Sequence, residues 1–260
     1  MSSWWEDLPC PFHPTWELDD ISERDVRQLK QNLDADDDNG MVVETAVYRA
    51  FLEFPRKRVF YNQPIDDPIQ ARKHLISAKE LVKEKFEGNS DAEIGYGIVI
   101  NTFQMYIEKD ASTESILRDL ILKKDGYPRH QCYVNVVRAY ILSRLGPRRY
   151  GCALSLFDSA LKESPENCDW LLGKALLIGR EAREIGYILG WSDRHVLDLL
   201  HEQKVVLEGI LKLEPDYHLA RALYGQVLMN LGEGGAKAEI SRSLLNDPPR
   251  HSVGMVAARF

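Results

Sequence analysis

Two arginines stand where they could do anion chemistry. Arg180 closes the largely apolar run "CDWLLGKALLIGR", and Arg144 ends "AYILSR" 36 residues earlier. That separation is close to the period of about 34 residues of a helix-pair repeat. Equivalent helices of successive units would then present both guanidinium groups on one concave wall, where they could converge on a single anion. Planar guanidinium forks suit phosphate because they donate bidentate, charge-assisted hydrogen bonds. Tyr140 lies four residues before Arg144 and Gln31 four after Arg27, so each pair shares a helix face. Single-stranded nucleic acid also needs aromatic platforms, each stacked base contributing about 1–3 kcal/mol. Tyr140 and Tyr150 are the candidates. Taken singly, any of these arginines reads better as an ordinary surface charge, and Arg180 as a partner of Glu181 or Glu184. Arg144, Tyr150 and Arg180 in matched repeats point together to anion or RNA binding.

Other chemistries find little support. The seven histidines show no HExxH pair, and there is no nucleophile elbow and no phosphate-cradling GxxxxGK[ST] loop. An enzyme is not expected, and neither a metal nor a cofactor. His195 and His201 sit on an apolar-periodic helix as packing or surface residues. "DADDDNG" at 34–40 lacks the ligand order of a calcium loop and reads as a plain loop. The net charge of −7 argues against coating nucleic acid or membrane through net charge, so any anion site must be local. Cys10, Cys132, Cys152 and Cys168 form no CxxC, and no signal-peptide core or long apolar run is present. A reduced, cytoplasmic chain without a membrane partner is expected.

The elements that must position the arginines are helical. With 44% hydrophobic and 28% charged residues the chain can bury a core. Its apolar residues recur at three and four, punctuated by "EGNS" and "LGEGG", and no alternating pattern competes. Ala153, Phe157, Ala160 and Pro165 fall at the A-x3-F-x2-A-x4-P spacing of a tetratricopeptide repeat. Leu207, Ile210 and Pro215 repeat it, as do Ala236, Ile240 and Pro248, and Ala71, Leu75 and Ala78 keep its first part. The 50 residues between Pro165 and Pro215 leave room for an extra helical segment near 181–196. The fold expected is all-α, a tetratricopeptide-repeat solenoid of antiparallel helix pairs. Residues 1–40 would form an aromatic N-terminal segment, with Trp4 and Trp5 docking on the first helices, and a capping helix. Residues 41–260 would form the irregular array, ending as a truncated part of a longer solenoid.

The stretches "CPFHPTWEL", "AVYRAFLEF", "LGPRRYGCALSLFDSALKESPEN" and "LLGKALLIGR" resemble the interferon-induced proteins with tetratricopeptide repeats. The resemblance covers most of residues 10–260 and corresponds to that family's N-terminal portion. It implies a cytoplasmic innate antiviral protein that holds the 5′ end of single-stranded RNA, triphosphate or cap-type, in a basic cleft and denies it to translation. Its partners would be that RNA, other members of the family or translation factors. Carried over by position, Tyr140 and Arg144 match the family's aromatic-x3-Lys pair, Tyr150 its phosphate-contacting tyrosine and Arg180 the arginine closing the next helix. Arg27 and Gln31 match a further Arg-x3-Gln pair if about four residues are deleted after "TWEL"; otherwise Ala35 takes the place of Gln31. The family's third tunnel wall has Met255 and Val256 here, and only Tyr217 or His218 is available for its cap-contacting aromatic. A protein-binding repeat scaffold that does not touch RNA ends is the alternative.

Overall fold

In the computed structural model the chain is described over residues 28–30, 41–53, 68–108, 111–122 and 127–245. Arg27, Gln31, the "DADDDNG" loop, Pro248, Met255, Val256 and the tryptophans before residue 20 lie outside the described residues. The chain forms two compact units, the first ending at Leu145 and the second running from Gly146 and including Met41. No strand occurs among the described residues.

In the first unit, α1 spans Val42–Glu53, α2 Pro68–Lys85, α3 Ser90–Glu108, α4 Ala111–Leu122 and α5 Tyr127–Leu142. Ala71, Leu75 and Ala78 all face inward on α2, as their three-and-four spacing requires. Gly88, with φ of 80°, turns the chain out of α2. Asn89 then caps α3, its Oδ1 accepting from the Ala92 N–H at 3.1 Å. α3 packs against α2, α4 and α5, and α1 packs against α2 and α5. A central helix of this kind must be apolar nearly all round, and α3 accordingly buries Tyr96, Val99, Ile100 and Phe103. Gly95 permits its crossing with α5: a Cβ there would lie 2.7 Å from the His130 carbonyl oxygen.

In the second unit a 3-10 turn, Pro147–Arg149, leads into α6, Tyr150–Glu163; α7 spans Cys168–Leu189, α8 Arg194–Leu213, α9 His218–Asn230 and α10 Ala236–Ser243. Ala153, Phe157 and Ala160 form the buried stripe of α6. Burying a side chain such as Phe157 contributes about 1.5–3 kcal/mol. Its ring is received at Gly173 of α7, where a Cβ would come within 2.9 Å of it. Asn167 and Asp193 cap α7 and α8 through their side chains. Leu207 and Ile210 are buried on α8, and Ile240 on α10 packs at Gly225 of α9. The small-large pattern read from the sequence is therefore the one that closes the α6–α7 and α9–α10 pairs.

The extra helical segment expected near 181–196 is divided: residues 181–189 lengthen α7 to 22 residues, and 194–196 open α8. Nothing between Arg180 and Leu189 stops a helix; the first residue that does is Gly190, with φ of 93°.

Candidate anion-binding site

Within α1 the run "VVETAVYRAF" interrupts its apolar residues with Glu44 and Thr45, which are only 3% and 2% exposed. Polar groups at such depth must be hydrogen-bonded or cost several kcal/mol, about 2–7 for an uncompensated group. Both find partners on other helices of the first unit. Tyr96 of α3 donates its phenol O–H to the Glu44 carboxylate. Thr45 Oγ1 lies 2.6 Å from Tyr140 Oη of α5. Tyr48, one turn after Thr45, sets its ring at 78° to that of Tyr140, with centroids 6.1 Å apart.

Arg144 follows just past the end of α5, its N–H bonded to the Ile141 carbonyl in the closing turn. Its guanidinium carbon lies 3.9 Å from the Tyr140 ring centroid and 5.9 Å from that of Tyr48. Its Nη2 donates to Tyr140 Oη at 2.6 Å. A desolvated cation–π contact contributes up to about 2 kcal/mol and a hydrogen bond to a charged group about 1.5–3 kcal/mol. Those gains exceed the roughly 2 kcal/mol of rotamer entropy that an arginine loses when fixed. Arg144 is thus held in place before any ligand arrives.

The same contacts correct the role expected of Tyr140. It is only 2% exposed, with Arg144 over its face and Tyr48 at its edge, so a base cannot stack there without displacing the guanidinium. Tyr140 is the seat of Arg144.

In the second unit, Gly146, with φ of 108°, and Pro147 deliver Tyr150 to the first position of α6, where it is buried. Burial pushes its phenol pKa up. Arg180 of α7 is the next influence and draws it back down, followed by Glu184 raising, Arg183 lowering and Glu181 raising it. Arg180 is half-buried on α7 and acts electrostatically on the Tyr150 phenol. Two arginines and two glutamates surround this phenol, so geometry rather than net charge would have to hold a phosphate here.

Thr45, Tyr48 and Glu44 were not expected from the sequence. The signal that could have found them is the adjacent pair Glu44–Thr45 inside an apolar run, since a helix buries such a pair only where another element answers it. Elsewhere, His195 and His201 are exposed. Among the described residues no group of histidine, cysteine and carboxylate side chains could hold a metal ion, and no helix is long and apolar enough to cross a membrane.

The helix pairs of both units define an all-α protein of the tetratricopeptide-repeat class. Among solved structures, the human IFIT1 dimer with m7Gppp-AAAA matches at a TM-score of 0.69 and 19% identity, over 98% of this chain and 53% of that one. The human IFIT1 dimer with PPP-AAAA matches at 0.70 and 20% identity, over 98% and 52%. A monomeric IFIT1 mutant with Gppp-AAAA gives 0.69 and 19%, over 98% and 54%. The chain thus spans about half the length of these proteins, and at such identity the likeness is one of fold. No protein-family model and no curated protein matches the sequence.

Proposed function

We propose that the chain captures the 5′-phosphorylated end of single-stranded RNA, triphosphate or cap-type, as a cytoplasmic innate antiviral effector that withholds such RNA from translation. The observation that carries this reading is the Arg144 guanidinium, seated in advance on Tyr140. Preorganised donors spend no ordering entropy when a phosphate binds. The fold shared with IFIT1 structures that contain PPP-AAAA and m7Gppp-AAAA supports the choice of ligand. In this reading Arg144 and Arg180 each donate to phosphate oxygens, Tyr150 supplies a phenol hydroxyl beside Arg180, and Arg27 and Gln31 assist. Tyr140 acts by holding Arg144. No bond need be made or broken, because sequestration is sufficient; other repeat proteins of the same class or translation factors would be the protein partners.

The test is titration of a short single-stranded RNA bearing a 5′-triphosphate or a 5′-hydroxyl against the wild type, Arg144→Ala and Arg180→Ala. A triphosphate preference in the wild type that falls in both variants is expected. Neutralising three or four phosphates should give a log–log salt slope of roughly −2 to −3, at about −0.7 per phosphate of a single strand. Equal binding of the two RNAs by the wild type would sink the proposal.

A protein-interaction scaffold is the second reading, and one observation favours it. At the end of α7, Tyr187, Ile188 and Leu189 are consecutive and exposed, and Trp191 beyond Gly190 meets Tyr187 edge-on at 6.3 Å. Exposed aromatic and aliphatic clusters of this kind are common at protein interfaces.

A further inference from the structure

The phenol oxygen of Tyr140 is shared between two residues from different elements. Arg144 Nη2 reaches it at 2.6 Å and Thr45 Oγ1, 95 residues away in sequence, also at 2.6 Å. Guanidinium can only donate, so towards Arg144 the phenol oxygen must present a lone pair. The phenol has a single proton, and its preferred positions are the two in the plane of the ring. If that proton turns towards Arg144, two donors face each other and the bond is lost. Whatever draws the proton the other way therefore decides whether Arg144 is anchored at its tip or only laid on the ring.

We propose that Thr45 is that group: a positioning residue that accepts the Tyr140 phenol proton, keeps the oxygen lone pair turned to Arg144, and so fixes the guanidinium for a terminal phosphate. The proposal rests on the RNA-end reading for its ligand, while the seating of Arg144 stands on the geometry of the first unit alone. A hydroxyl chain polarised in one direction also makes the phenol oxygen the better acceptor. Thr45 is buried in α1 and does not itself face ligand; its effect passes through Tyr140.

The experiment compares wild type, Thr45→Val, Thr45→Ser and Arg144→Ala, with Thr45→Val also made in the Arg144→Ala background. Each is titrated with 5′-triphosphate and 5′-hydroxyl RNA, and the guanidinium 15N resonances of Arg144 are recorded in the RNA-free proteins. Valine keeps the shape of threonine without its acceptor, and serine restores the hydroxyl. Thr45→Val should lower the triphosphate preference about threefold to tenfold, the range of one hydrogen bond. Binding of 5′-hydroxyl RNA should be unchanged, serine should restore the preference, and valine should do nothing once Arg144 is alanine. A merely structural role would instead weaken both RNAs alike, or act equally without Arg144, and would overturn the proposal. The resonances separate the two ideas. Separate, slowly exchanging Nη signals in the wild type and Thr45→Ser that merge in Thr45→Val support the positioning role, even if the wild type shows no triphosphate preference and the RNA-end reading falls. Identical Nη signals in all three overturn it, whatever the RNA does.

Discussion

The guanidinium of Arg144 lies over the ring of Tyr140, carbon to centroid 3.9 Å, while its Nη2 donates to the hydroxyl of the same residue at 2.6 Å. One side chain thus holds the cation by its face and by its polar tip. A lysine cannot use both, since its ammonium is a compact, strongly hydrated charge without a planar fork. Arg144→Lys should therefore behave as a loss, although the resembling family carries lysine at the matching position. Binding of 5′-triphosphate RNA should weaken about tenfold, as expected for losing one hydrogen bond to a charged group. Fluorescence titration at fixed salt measures it, and wild-type affinity in the variant would show that the seat on Tyr140 is immaterial to binding.

Covering the Tyr140 ring has a consequence for the ligand. A cap guanine gains affinity mainly where it can stack on an open aromatic face, and this face is taken. RNA ending in m7Gppp should bind the chain no more tightly than RNA ending in a triphosphate. Competition between the two on one labelled triphosphate RNA checks this. If the capped RNA competes tenfold better, a base has displaced Arg144 or another aromatic receives the cap.

The helix pairs were legible because their closing chemistry is local. Ala153, Phe157 and Ala160 lie within one helix, and their spacing alone makes a stripe that must meet a partner. The repeat period relates Arg144 to Arg180, 36 residues apart, whereas the grouping of Tyr150 with Arg180 comes from the family resemblance and not from spacing. The extra helical length near 181–196 is legible in the proline spacing, but not its form, because helix length is set by where a stop occurs and the stop is Gly190. The seat of Arg144 was hidden for a different reason. Tyr140 reads as an exposed platform from its i, i+4 relation to Arg144, but Thr45 and Tyr48, which bury it, come from a helix more than 90 residues away. Local spacing carries no information on that contact.

His74 gives the first unit an acid sensitivity. Burial lowers its pKa below the ordinary 6.5; Arg49 adds to the lowering, Glu53 opposes it, and Lys30 and Lys73 lower it further. Below pH 6.5 the unfolded chain takes up the proton before the folded one does, so stability should fall as the pH drops through this window. His74→Gln removes the titration and should flatten the slope. Urea midpoints between pH 7.5 and pH 5.5 measure it, and an unchanged slope in the variant would assign the sensitivity elsewhere.

Two glycines of the second unit should respond oppositely to alanine. Gly225 lies within α9 at its contact with α10, where a Cβ would stand 2.6 Å from Ile240 Cγ1 and 2.9 Å from the Ala236 carbonyl oxygen. The isoleucine tip can rotate away, but the carbonyl belongs to the first turn of α10 and can yield only if that helix moves. Overpacking of this kind costs about 1–3 kcal/mol, against a gain of up to about 1 kcal/mol from replacing a mid-helix glycine. Gly225→Ala should therefore destabilise. Gly209 lies within α8, and a Cβ there would meet nothing within 4 Å. Only the conformational gain remains, and Gly209→Ala should stabilise by about 0.5–1 kcal/mol. Thermal melts of the two variants beside the wild type decide the matter. A Gly225→Ala protein as stable as the wild type would mean that α10 gives way at that contact without cost.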